Sequence, residues 1–84
     1  MARPQTLAQV RITQQSWQTG EIIGEVQANN WVWQFRWQFR RGHLHLEPTV
    51  GRALIREPLS RFLEAQDYQL EPGGDYSFLI RSVF

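Results

Sequence analysis

The residues closest to a metal-binding pattern are His43, His45 and Glu47, which alternate with two leucines. Imidazole nitrogens and carboxylate oxygens are ligands that zinc accepts, and a strand places every second side chain on one face. Alternate side chains lie about 6.5–7 Å apart, so two of the three could share an ion while Glu47 lies too far along. No further ligand is evident, and we therefore expect surface histidines and no metal.

Three arginines could contact the phosphates of a nucleic acid. Arg11, Arg36 and Arg40 share the polar face of the strands predicted below, where Glu25 and Glu47 dilute their charge. The formal net charge of the chain is only +1, which provides little long-range attraction to a polyanion. Nucleic-acid binding therefore stays an alternative, and a solvated sheet face is the simpler interpretation.

No group of residues predicts catalysis. The chain has no cysteine, which excludes thiolate chemistry and disulfides. Gly51 and Arg52 precede a helical pattern and could hold an anion, but the glycine spacing of a nucleotide-binding loop is missing. Asp75 lies in a turn with no second carboxylate or histidine nearby in sequence. We expect no catalytic residue, no cofactor and a protein that is not an enzyme.

The strongest structural signal is the strict alternation over residues 31–40. A strand here places Val32, Gln34 and the arginines on one face, and large rings on the other. Asn29 and Asn30 form a favourable two-residue turn, which would place Gly24 opposite Phe35. We expect the ring-bearing face to be buried rather than to stack on bases. Its rings are Trp31, Trp33, Phe35, Trp37 and Phe39.

Two neighbouring hairpins complete a predicted four-stranded antiparallel meander. A three-residue turn at 18–20 would place Ile12 opposite Val26, with the apolar residues of both strands on one face. A two-residue turn at Arg41 and Gly42 would place Glu47 opposite Arg36.

The second half of the chain predicts a helix and a fifth strand. Residues 51–66 show helical spacing of apolar side chains, and Pro58 should bend this helix or divide it in two. The helix should cover the aromatic face. A strand at 76–81 should then return beside the first one, which predicts an α+β domain with strand order 5-1-2-3-4. Residues 1–6 are expected to be a flexible N-terminus, and residues 7–84 a single domain.

Several segments together resemble a known family. They are Arg11-Ile12-Thr13 with Ser16-Trp17, Trp33-Gln34-Phe35, Phe39 to Gly42, Gly51 to Ile55 and Leu70 to Tyr76. This combination resembles a family of small cyanobacterial proteins that has no assigned function. The resemblance extends from about residue 10 to the C-terminal part of the chain. It implies a cytosolic cyanobacterial protein and brings no catalytic or binding residue.

The outward-facing apolar residues suggest a function. Trp17, Ile23, Leu79 and Val83 fall on the polar face, and an apolar patch there would mark a partner surface. We therefore expect a cytoplasmic, non-enzymatic module that binds another protein or itself, through Trp17, Ile23, Arg36 and Leu79, without a membrane. The alternatives are nucleic-acid binding by the three arginines, and a small-ligand site between helix and sheet.

Overall fold

The structure is a computed structural model that describes residues 5–66 and 69–81. Five strands form one antiparallel sheet in the order β4-β3-β2-β1-β5, which read from the opposite edge is 5-1-2-3-4. The fold is therefore α+β, and no helix in these ranges is long and apolar enough to cross a membrane. The elements are β1 Gln5–Ser16, β2 Glu21–Ala28, β3 Trp31–Gln38, β4 His43–Glu47, α1 Arg52–Ala65 and β5 Asp75–Arg81.

The aromatic face of β3 is turned inward, as its alternation predicts. Phe35 and Trp37 are buried, and Phe39 is buried just beyond the strand. Trp33 has 0% of its surface exposed, and its indole Nε1 donates a hydrogen bond to the carbonyl of Val50 at 2.9 Å. Trp31 is only partly buried and stacks on Trp33, with ring centroids 5.7 Å apart. The large rings on β3 need an apolar layer that covers them, and α1 provides this layer.

The register expected between β1 and β2 is wrong. Ile12 lies opposite Gly24, and Val26 lies opposite Val10. A β-bulge between Ile12 and Gln14 adds a residue to β1, and the turn spans four residues, 17–20. The expected and observed pairings of Ile12 differ by two residues, which leaves each side chain on the same face. Alternation alone therefore cannot distinguish them.

The hairpin between β3 and β4 is shifted in the same way. Arg36 lies opposite His45 and Glu47 lies opposite Gln34, so the expected pairing of Arg36 with Glu47 is wrong. The turn takes four residues, 39–42, rather than two. The hairpin between β2 and β3 is as predicted, because Asn29 and Asn30 form the turn and Gly24 lies opposite Phe35.

The expected bend at Pro58 is also wrong, because α1 continues through it as one helix of 14 residues. Proline inside a helix removes one hydrogen bond and costs about 3 kcal/mol or more. The carbonyl that loses its donor belongs to Leu54, which is 41% exposed and so lies on the solvent side. Ile55, Leu59 and Leu63 are buried on both sides of Pro58, and their packing offsets this cost.

The helix is attached to the sheet at both ends. Gly51 precedes α1 with φ of 71°, and a Cβ at this position would lie 2.8 Å from the ring of Trp31. Arg56 Nη1 donates to the carbonyl of Leu44 on β4 at 2.5 Å. Towards the other end, the ring of Phe62 stacks on Phe78 of β5 at 5.0 Å. The helix therefore bridges the two sides of the sheet.

We predict that Gly24→Ala destabilises the fold strongly. A Cβ at residue 24 would lie 2.3 Å from the carbonyl oxygen of Arg11 and 3.0 Å from Cζ of Phe35, so the backbone itself must shift. We expect a loss of about 2–3 kcal/mol in the free energy of unfolding, measured by urea denaturation.

The matched control is Gly42→Ala. Gly42 has φ of 65° and open space around its Cα, so alanine there meets only backbone strain. This variant should lose about 1 kcal/mol. Equal losses in the two variants would contradict the close approach of β1 to Gly24.

Candidate functional site

The face of the sheet opposite α1, called the outer face below, is the surface on which the predicted site residues lie. It has apolar residues at one end, charged residues across the middle and two histidines near the other end. Its principal members are Leu7, Gln9 and Arg11 on β1, Ile23, Glu25 and Gln27 on β2, Val32, Gln34 and Arg36 on β3, His43, His45 and Glu47 on β4, and Asp75, Ser77, Leu79 and Arg81 on β5.

The four residues proposed as a partner surface lie in three places. Ile23 is half-buried and lies opposite Arg36. Leu79 lies opposite Leu7, roughly 20 Å away along the strands from the position of Ile23. Trp17 lies in the turn after β1, with its ring edge-on to Phe39 at 5.3 Å. Ile23 and Arg36 are thus together, whereas Val83 lies outside the described residues.

Leu7, a residue that the sequence analysis missed, lies beside the predicted Leu79. Leu7 is 49% exposed and Leu79 is 60% exposed, and they are directly opposite each other on β1 and β5. Leu7 lines a shallow depression of about 410 Å³, together with Gln9, Gln27 and Ser77. The signal was the alternation of β1, which places Leu7 out of phase with the buried Ala8 and Val10. We call Leu7, Leu79, Gln9, Gln27 and Ser77 the leucine-pair surface.

The three arginines proposed to bind phosphates are all engaged within the protein. Arg11 Nε lies 3.2 Å from Oδ1 of Asp75, and Arg36 Nε lies 3.6 Å from Oε2 of Glu21. Arg40 donates hydrogen bonds to the backbone carbonyls of residues 17 and 18. These partners compete with any phosphate for the same guanidinium groups.

The charges of the outer face reinforce this point. Its arginines are interleaved with carboxylates of nearly equal number, and Glu25 lies directly opposite Arg11 on the neighbouring strand. A surface of alternating sign produces a weak field at a distance. The described residues therefore form no basic patch on this face.

The two histidines do not form a metal site with Glu47. His45 Nε2 lies 3.0 Å from Oε1 of Glu47, so the ring nitrogen and the carboxylate are hydrogen-bonded to each other. The hydrogen bond with His45 lowers the pKa of Glu47 below its ordinary value. The positive charges of His45 and Arg36 lower this pKa further. Within residues 5–66 and 69–81, no group of three or more histidines or carboxylates is arranged to hold a metal ion.

A groove runs between α1 and β5, at the place where a small-ligand site was considered. It has a volume of about 750 Å³ and is open to solvent. Pro58, Phe62 and Phe78 line it, with Arg61 and Arg81 among its charged residues. No polar side chain is buried in the described part of the chain, so nothing deep in this groove would orient a small ligand.

The family assignment agrees with the resemblance described above. Residues 4–83 match the family model described as a protein of unknown function (DUF3146). The chain belongs to this family. No curated protein and no solved structure matches the chain. Family membership brings no activity, ligand or partner to these residues, and the cyanobacterial source stays a prediction.

We predict that His45→Ala raises the pKa of Glu47 towards its ordinary value. The first cause of the lowered pKa is the hydrogen bond from His45, and this variant removes it. The carboxyl resonance of Glu47, followed by NMR during a titration from neutral to acid pH, should then shift at a higher pH than in the wild type.

His43→Ala is the matched control, since His43 lies on the same strand and face but has no contact with Glu47 among those described. It should leave the titration of Glu47 unchanged. Because the pKa of Glu47 is lowered in the folded state, its contribution to stability is present above its unfolded pKa and is lost as the pH falls through the folded value. A His43 variant with the larger effect would contradict the pairing.

Proposed function

We propose that this protein is a non-enzymatic interaction module that binds another protein through the leucine-pair surface. The observation that carries the proposal is the pair Leu7 and Leu79, two large apolar side chains that face each other on a mostly polar sheet face and stay about half exposed. Exposed apolar side chains that adjoin one another, with polar groups around them, are typical of the centre of a protein interface.

The surroundings of the pair support the same use. Gln9, Gln27 and Ser77 lie beside it across three strands, in one row of the sheet. Amide and hydroxyl groups donate and accept hydrogen bonds, so they can form the polar rim of an interface. Asp75, Arg11 and Glu25 form the next row, so this part of the rim has one positive and two negative charges. A partner with a protruding apolar side chain and neutral polar neighbours would fit this surface.

The other expectations fit the structure less well. Nucleic-acid binding requires free cations, whereas Arg11, Arg36 and Arg40 have carboxylate or carbonyl partners. Small-ligand binding requires converging polar groups, whereas the groove beside α1 is lined mainly by apolar and salt-bridged side chains. A surface suited to a protein partner is what remains.

We predict that Leu7→Glu abolishes capture of the partner without unfolding the protein. Leu7 is exposed, so the substitution removes an apolar contact and adds a charge at no cost to the core. Immobilised wild type and variant should be compared on extracts of the source cells, and the interaction repeated with the purified captured protein by titration calorimetry. The binding constant should weaken at least about tenfold.

The matched control is His43→Glu, which adds the same charge to the opposite end of the same face. It should bind the partner as the wild type does. The proposed surface would be contradicted if both variants lost the same binding affinity. It would also be contradicted if the purified partner bound Leu7→Glu as tightly as the wild type.

We also predict that the protein binds no mixed-sequence RNA or DNA at about 0.15 M salt, because Arg11, Arg36 and Arg40 already have partners within the protein. Fluorescence anisotropy with labelled single-stranded and double-stranded oligonucleotides tests this. Salt-dependent binding that is lost in Arg36→Gln would instead establish the nucleic-acid alternative.

A further inference from the structure

The two edges of the sheet differ in how they are protected. β4 has five residues, is followed by Pro48, and receives a hydrogen bond from Arg56 of α1. β5 has seven residues, and within residues 5–66 and 69–81 it pairs with β1 alone. It contains no proline, and its charged residues, Asp75 and Arg81, stand at its two ends, so residues 76–80 have none of the proline or charged side chains that commonly protect edge strands from pairing with another chain. Of the two edges, β5 is the one suited to accept another strand.

The hydrogen-bonding direction of β5 follows from its contact with β1. The N–H of Ile12 donates to the carbonyl of Gly74 at 3.2 Å. In an antiparallel ladder the groups that bond to one neighbour alternate with groups that point away from it. The backbone N–H and C=O groups of Tyr76, Phe78 and Ile80 therefore form hydrogen bonds with β1. The backbone groups of Asp75, Ser77, Leu79 and Arg81 point to the open edge.

The sequence of β5 is complementary to itself when two copies run antiparallel with Phe78 at the centre. Asp75 of one copy then lies opposite Arg81 of the other, so the two end residues have opposite charges. Tyr76 lies opposite the partner's Ile80 on the inner face. Pairings centred on Ser77 or Leu79 bring no opposite charges together, and pairings shifted by one residue mix the two faces.

We propose that two copies of this chain associate through β5, antiparallel and centred on Phe78, so that their sheets become continuous. The rings at this edge are incompletely covered in one copy, since Tyr76, Phe78 and Phe62 are all only partly buried. The groove beside them, about 750 Å³ in volume, provides the space for the partner's rings. A two-fold symmetric pair is also the most frequent assembly of identical chains.

This inference does not depend on the proposed function. The backbone edge and the inner-face rings of β5 form the contact. Ser77 and Leu79 belong to both surfaces, whereas Leu7, Gln9 and Gln27 lie on β1 and β2, away from the open edge. If the protein forms a dimer but binds no other protein, only the dimer proposal holds. If a monomer binds another protein, only the proposed function holds.

The first experiment uses single cysteines, because the wild type has none. Ser77 and Leu79 are exposed and would lie opposite each other across the dimer, at about 5.5 Å between Cα atoms, within the range of a disulfide. Under mild oxidation, a mixture of Ser77→Cys and Leu79→Cys should form a crosslinked heterodimer. Either variant alone should crosslink far less, since two identical positions would lie more than about 7 Å apart.

The second experiment measures mass by light scattering over a range of concentrations. Wild type should be a dimer that dissociates on dilution. Ser77→Pro, which removes an N–H at the open edge, should be a monomer with an unchanged circular dichroism spectrum. Arg81→Glu should weaken the dimer about fivefold or more, because it places two carboxylates opposite each other. The control variant Arg41→Glu, at an exposed turn, should leave the dimer as stable as in the wild type.

Some outcomes would overturn the proposal. A wild type that stays monomeric at every concentration would do so, as would a dimer that Ser77→Pro does not affect. Crosslinking of Ser77→Cys or Leu79→Cys alone, as efficient as in the mixture, would contradict the centre at Phe78.

Discussion

Burial of the aromatic face of β3 is the constraint on which the rest of the structure depends. Trp33, Phe35 and Trp37 fill the space between sheet and helix, and Val50 accepts the indole hydrogen bond of Trp33 just before α1 begins. Because every second residue of β3 is fixed inside, its other residues are fixed outside. The polar outer face is therefore a consequence of core packing.

The faces of the strands could be predicted from the sequence, but two registers could not. Alternation determines which side of the sheet a residue faces, and a shift of two residues leaves that side unchanged. In the first hairpin, the bulge near Thr13 brings Arg11 close to Gly24, and only the missing side chain of Gly24 makes room for its carbonyl. Such a backbone contact between strands has no signature in hydrophobic spacing.

The candidate site was predictable in outline and not in its pairs. The outward direction of Leu79 and Arg36 followed from alternation. The pairs Leu7 with Leu79 and Arg11 with Asp75 join the two ends of the chain, and they exist only because β5 lies beside β1. Contacts at such sequence separation depend on topology. Arg11 is engaged for the same reason, because its partner Asp75 lies on β5. Arg36 differs, since its partner Glu21 lies on the neighbouring strand of the hairpin that the sequence did predict.

The geometry of a single helix on a five-stranded sheet explains why one edge stays incomplete. A helix with its side chains is about 10 Å wide, whereas five strands span roughly 19 Å. The large rings of β3 and the buried Leu70 fill part of the difference. At β5, Phe62 stacks on Phe78, and the rings of Phe78 and Tyr76 stay only partly buried. A chain of 84 residues has little surplus apolar surface with which to close this side, so covering it by a second copy would add core that the single chain lacks.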